Sequence, residues 1–181
     1  MSACVPAEIS ALYPFAQNSF RCSGGQMNYV DEGSGARGVV VLLHGNPTWS
    51  FLWRDLVKSL VAAGMRCIAL DHIGMGLSEK PAKYFSLADR IRHAEELLAH
   101  LGIEKFSLCV HDWGGAIGCG VAVNAPEKIE KIVITNTAAF LSRNIPRRIA
   151  LCKIAGIGPF LVKQFNLFAV SYTHLTLPTK A

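Results

Sequence analysis

Along most of this chain, short apolar runs take turns with helix-like stretches. Val39 to Leu43 is an unbroken apolar run, the mark of a strand covered on both faces. From Ser50 onward, Leu52, Leu56 and Leu60 recur every four residues, as do Trp53, Val57 and Val61. That spacing predicts a helix, and Gly64 ends it. Cys67 to Leu70 is the next strand. Ser86 and Asp89 form a capping box ahead of a second helix, whose Leu87, Ile91, Ala94, Leu98 and Leu101 share one face and which Gly102 closes. Phe106 to Val110 reads as a strand, Gly114 to Asn124 as a helix of small residues stopped before Pro126, and Ile132 to Thr135 as another strand. Met27 to Asp31 is a short strand candidate ahead of the turn Gly33-Ser34-Gly35. This alternation predicts an α/β fold: a mostly parallel sheet with helices on both faces. In such sheets chemistry gathers beyond the carboxyl ends of the strands.

Composition narrows the class further. With 181 residues, 51% hydrophobic and 17% charged, the chain is neither disordered nor of low complexity. The formal charge of +5 invites a nucleic-acid reading, but its location removes it. Residues 1–130 hold 11 Lys and Arg against 13 acids, while 131–181 hold 7 basic residues and no acid. A domain-wide basic footprint is therefore missing, and no nucleic-acid partner is expected. No run reaches the roughly 18 apolar residues of a membrane span, and no signal peptide is expected. Six cysteines, at 4, 22, 67, 109, 119 and 152, form no C-x-x-C pair. They read as free thiols of a reducing, cytoplasmic compartment, and no metal or cofactor is expected.

Two strand ends carry the chemistry. One continues Leu42-Leu43-His44-Gly45-Asn46-Pro47, the other Cys109-Val110-His111-Asp112-Trp113-Gly114-Gly115. The second has the spacing of a nucleophile elbow, with Asp112 where a serine usually stands. A carboxylate, with an unperturbed pKa of about 4, is already ionised at neutral pH. It needs no general base in order to attack, and a base is required only to activate water against the resulting ester. Asp112 could instead cap the helix that follows. Its setting between an apolar strand and a Trp-Gly-Gly sequence favours the nucleophile.

These two motifs resemble the α/β-hydrolase superfamily, in the branch with an aspartate nucleophile: haloalkane dehalogenases, epoxide hydrolases and their relatives. The resemblance runs from about Phe20 to Ala169. Asp71-His72-Ile73-Gly74-Met75-Gly76-Leu77-Ser78 matches that family's turn after its fourth strand, and its role reads as architectural. The resemblance implies that the backbone N–H groups of Asn46 and Trp113 form an oxyanion hole. It also implies that the Asn46 amide and the Trp113 indole stabilise a departing anion; epoxide hydrolases usually have Phe where Asn46 stands. His44 to Ser50, Asp71 to Pro81 and Ile134 to Phe140 look most like the β-lactone decarboxylases of olefin biosynthesis, which convert a cis-3,4-dialkyl-oxetan-2-one to an alkene and carbon dioxide. Haloalkane dehalogenase is the alternative, with epoxide hydrolase or a non-catalytic receptor of the same fold behind it. An apolar small molecule is the implied substrate; the oligomeric state is open.

The family's general base is a histidine near its C-terminus. Of the histidines here, His44 and His111 read as structural, His72 as a turn residue, and His93 and His100 as surface positions of the second helix. Asn136 falls where one dehalogenase group has its catalytic acid, and an amide cannot take that role, so the acid is expected after a seventh strand. Both base and acid are thus expected to be absent from this chain. Arg143, Arg147, Arg148, Lys153 and Lys163, interleaved with Ile149, Leu151, Ile154, Phe160, Leu161 and Phe165, look like the start of a helical cap. Val170 to Thr179 resembles a translated sequencing adapter, and His174 lies within it. The expected organisation is the N-terminal part of a hydrolase core at 1–138, the beginning of a cap at 139–169 and a non-native tail at 170–181. On that reading the fold is truncated after about its sixth strand, which is left with an unpaired edge, and the fragment is inactive by itself.

Overall fold

The strands are β1 (Asn18–Cys22), β2 (Gly25–Glu32), β3 (Val39–Leu43), β4 (Arg66–Leu70), β5 (Phe106–His111) and β6 (Ile129–Thr135). The helices are α1 (Ala7–Ser10), α2 (Arg54–Ala62), α3 (Leu87–His100) and α4 (Trp113–Asn124), with 3-10 turns at Ser50–Trp53 and Pro126–Lys128. This computed structural model describes residues 5–137, together with Ile154 and Phe160, which are both exposed. The chain divides into two compact units, Met1–Ala139 and Phe140–Ala181, and the first carries the sheet. Apart from Ile154 and Phe160, the expected cap start and tail lie outside the described residues.

The six strands form one sheet in the order β1-β2-β4-β3-β5-β6. β3, β4, β5 and β6 run parallel, and the β1–β2 hairpin joins antiparallel along β4. The chain steps from β3 to one side, onto β4, and then crosses back to the other side, onto β5. Right-handed crossovers put the helices of opposite steps on opposite faces. The packing follows that rule. Val40, Leu42, Cys67, Ala69 and Cys109 face Val57 of α2, with Trp53 and Tyr13. Val41, Leu43, Ile68, Leu70, Leu108 and Val110 face Ala94, Leu97 and Leu98 of α3 and Ile117 and Val121 of α4. Burial on both faces is why β3 and β4 read as continuous apolar runs. The reversal opens a crevice beyond the carboxyl ends of β3 and β5, the place where such sheets bind ligands.

Helix boundaries follow local chemistry. Ser86 Oγ accepts the Asp89 N–H at 3.2 Å while Asp89 Oδ2 accepts the Ser86 N–H at 2.9 Å, so the capping box is closed at α3. The stretch from Ser50 starts as a 3-10 turn and becomes α-helical at Arg54. β1 escapes the apolar pattern because only Phe20 and Cys22 turn inward.

His93 corrects an expectation. It lies on α3 but is only 2% exposed, against the expected surface position. Its ring stands edge-on to Phe85 at 5.1 Å and covers Gly24, where an added Cβ would come within 2.3 Å. The Ser23 N–H also donates to Glu96 Oε2 at 2.7 Å, so the hairpin turn is tied down onto this helix face. His100, by contrast, is exposed and stacks on Phe20 at 4.4 Å. No helix among the described residues is long and apolar enough to cross a membrane.

At the far end of the sheet, Val133 is 53% and Ile134 59% exposed. Among the described residues no strand pairs with the outer edge of β6. Exposed apolar strands with open edges template association. Replacing Ile134 by Lys is expected to slow aggregation of the purified chain, followed by light scattering, without changing its circular dichroism. An unchanged aggregation rate would place the sticky surface elsewhere.

Candidate active site

β3 and β5 are neighbours in register, Leu43 beside Val110, so their outgoing loops leave side by side. From β3 comes His44-Gly45-Asn46; from β5 comes His111-Asp112, leading straight into α4. Asp112 has φ 52° and ψ −123°, a conformation that non-glycine residues rarely adopt and that costs on the order of 1–3 kcal/mol. Its side chain does not cap α4. Instead Asp112 Oδ1 accepts the backbone N–H of Asn46 at 2.7 Å. Among the described residues Oδ2 accepts no hydrogen bond, which leaves one carboxylate oxygen held and the other available.

Close approach makes this geometry possible. A Cβ on Gly45 would stand 2.2 Å from the Asp112 Cβ, and one on Gly114 would stand 2.0 Å from the Leu43 carbonyl oxygen. Neither position can carry a side chain. Trp113 opens α4 and is 47% exposed. The structure thus brings Asn46 and Asp112 into direct contact, and Trp113 follows Asp112 in the chain. Asn136 follows β6 with φ 48° and is exposed.

Beneath the loops lies a buried polar layer. His44 Nε2 accepts the backbone N–H of His72 at 3.0 Å, so its proton sits on Nδ1 and is donated to the Gly45 carbonyl at 2.7 Å. His72 Nε2 in turn donates to the His44 carbonyl at 3.0 Å. Burial lowers the pKa of both imidazoles, and His44 with Arg90 adds to the lowering at His72. Both rings are neutral and committed to the backbone. His72 stands in a turn as expected, yet it is buried. Asp71, fully buried, accepts from Ser50 N–H and Leu77 N–H, each at 2.8 Å, and from the Asn28 amide at 3.3 Å. It ties the loop after β3 to the glycine-rich turn after β4, where Gly74 and Gly76 have positive φ. The turn's architectural role is readable from its glycines, but the His44–His72 pairing leaves no signal in the sequence because it depends on two strands meeting. Among the described residues no group of three or more His, Cys, Asp or Glu could hold a metal ion.

A family model described as alpha/beta hydrolase fold matches residues 38–151, which include both loops and the four strands β3 to β6. The chain belongs to the alpha/beta hydrolase fold family. It is 44% identical over 155 residues to a cis-3-alkyl-4-alkyloxetan-2-one decarboxylase of Xanthomonas campestris, covering 79% of this chain and 51% of that protein. It is 41% identical over 127 residues to haloalkane dehalogenase 2 of Mycobacterium tuberculosis, covering 70% of this chain and 43% of that one. Among solved structures, the haloalkane dehalogenase DatA of Agrobacterium tumefaciens C58 matches with a TM-score of 0.79 at 29% identity, over 95% of this chain and 60% of that one. The chain spans about half the length of the curated relatives it matches. The mostly parallel sheet with helices on both faces agrees with this family's fold and with the alternation in the sequence, which did not include β1.

The buried histidines give folding a pH dependence. His44, His72 and His93 all have pKa values lowered by burial, so the unfolded chain binds their protons more readily. Their neutral forms support folding fully above the unfolded value of about 6.5, and that support is lost as pH falls below it toward the folded values. Tm is therefore expected to be lower at pH 5.5 than at pH 7.5. A Tm that is flat across this window would contradict the neutral, locked assignment.

Proposed function

We propose that Asp112 is the nucleophile of an α/β-hydrolase-fold enzyme acting on an apolar small molecule, and that the parent protein is a β-lactone decarboxylase. The observation that carries the nucleophile is the 2.7 Å bond from the Asn46 N–H to Oδ1, made at a strained strand-to-helix turn. It holds one oxygen and leaves Oδ2 to attack. Attack on the saturated, alkyl-bearing lactone ring carbon bonded to the ring oxygen forms an ester to Asp112 and breaks that C–O bond, releasing a carboxylate on the substrate. Loss of carbon dioxide supplies the electron pair of the alkene and expels the Asp112 carboxylate, ready for another cycle. The 44% identity to a decarboxylase, over most of this chain, favours this substrate class.

Haloalkane dehalogenase is the second reading, supported by the 41% identity and by the fold of DatA. There Oδ2 displaces halide, which leaves with its bonding pair, and water then cleaves the ester at the Asp112 carbonyl. In that step charge collects on Oδ1, where the N–H groups of Asn46 and Trp113 stabilise it. In either reading the Asn46 amide and Trp113 indole face the leaving group. His44 and His72 are fully engaged with backbone partners, so neither is assigned the role of general base. Among the described residues Cys22, Cys67, Cys109 and Cys119 are free, and burial raises the Cys67 thiol to about 11.

One assay separates the readings. Full-length protein incubated with a long-chain β-lactone should yield alkene; bromide release from 1-bromobutane instead would make it a dehalogenase. Asp112→Ala in that protein should lower the rate by on the order of a thousandfold or more with helix content retained. Near-wild-type rates would remove Asp112 from the reaction. The 181-residue chain alone should show no multiple turnover on 1-bromobutane, because neither His44 nor His72 can activate water against the ester, and sustained bromide release would refute that reading.

A further inference from the structure

The backbone ladder between β5 and β6 ends at the pair His111–Thr135. Beyond it, side chains take over. The Thr135 hydroxyl donates to the Val110 carbonyl at 2.8 Å, and the Thr137 hydroxyl donates to the Asp112 carbonyl. Asn136, with its positive φ, turns the chain between them. The Asp112 carbonyl also accepts the Gly115 N–H at 2.9 Å, so two donors grip it. Thr137 is wedged over the first turn of α4: a Cβ on Gly115 would stand 2.0 Å from its Oγ1.

The Asp112 carbonyl and the Trp113 N–H belong to one peptide unit. In a planar trans peptide these two groups point in opposite directions. Gripping the carbonyl on the β6 side therefore fixes the N–H on the other. The backbone at Asp112 is strained, and turning this peptide over is its natural relaxation. We infer that Thr137 is a positioning residue: its hydroxyl locks the Asp112–Trp113 peptide so that the Asp112 carboxylate and the Trp113 N–H keep their working orientation. This rests on the proposed role of Asp112 as nucleophile, and it assigns the lock to the segment that follows β6 and not to either loop that forms the site.

The test uses the 181-residue chain with Thr137→Val, which keeps the shape and removes the hydroxyl, and Thr137→Ser, which restores it. Amide exchange and the Trp113 ¹H–¹⁵N signal are followed by NMR. Thr137→Val should speed exchange at Gly115 by about tenfold, the scale of one lost hydrogen bond, and move the Trp113 signal. Ile117 to Val121 and the β3 amides should stay unchanged, and Thr137→Ser should return both readouts to wild type. Unchanged Gly115 and Trp113 would overturn the inference. So would a general loss of protection through α4 and β5, which would make Thr137 a packing residue, or a failure of Ser to rescue. A second readout is product formation by the full-length protein, alkene from a long-chain β-lactone or bromide from 1-bromobutane, expected to be several-fold slower in Thr137→Val, restored in Thr137→Ser and abolished in Asp112→Asn. Product formed by Asp112→Asn at the wild-type rate would sink the nucleophile reading, while the exchange data still decide the role of Thr137.

Discussion

No methyl group fits between Gly45 and the Asp112 side chain, and the site depends on that contact. It lets the loop after β3 lie against the turn after β5 closely enough for the Asn46 N–H to reach Oδ1. The contact in turn requires β3 and β5 to be adjacent and parallel, which the sheet achieves by reversing direction at β4. Gly114 extends the same constraint, because α4 can start where it does only if nothing projects toward the Leu43 carbonyl. Small residues at these positions serve geometry, and the polar chemistry is built on the gap they leave.

Strain at Asp112 has to be opposed by its surroundings, and the opposition comes from several directions. From the β3 side, the Asn46 N–H holds the carboxylate. From below, His44 and His72 bond to each other's backbone and fix the path of the His44–Gly45 segment. Asp71 then anchors the far end of the same loop at Ser50, where Tyr13 also bonds the Ser50 hydroxyl at 2.6 Å. These are buried polar groups, each expensive to desolvate, and all are paired. A half-satisfied version of this layer would be worse than an apolar one. That explains why the neutral state of both imidazoles matters: an added proton on His44 Nε2 would face the His72 N–H, donor against donor.

What the sequence showed and what it hid have physical reasons. β3 and β4 are covered on both faces and therefore carry continuous apolar runs, readable without any partner. β1 is an edge strand with one inward stripe, and Phe20 and Cys22 alone make no pattern. α3 was legible down to its cap, because Ser86 and Asp89 interact within four residues. His93 on that helix was not, because what buries it is the hairpin turn at Gly24, about 70 residues away in sequence. The strand-to-helix turn at Asp112 was legible as a local spacing, but the bond from the Asn46 N–H to its carboxylate was not, since it joins loops far apart in sequence. The grip of Thr137 on the Asp112 carbonyl was not, since nothing in a threonine after a strand announces which carbonyl it will meet.

On the proposed chemistry, an aspartate nucleophile divides the work along the chain. An ionised carboxylate needs no base to attack, so the bond-forming step asks only for position and for donors that stay fixed. Both come from residues between Leu43 and Thr137, on elements that fold around one sheet. Activating water is a separate task, with a separate group, needed only when the ester must be hydrolysed. Decarboxylation of a β-lactone bypasses that task, because the carboxylate freed from the ring provides the electrons that release the enzyme. A fold that presents Asp112 in this way is therefore compatible with both outcomes, and the difference between them must lie in what surrounds the ester: a positioned water and base in one case, a substrate carboxylate held in line with the bond that breaks in the other.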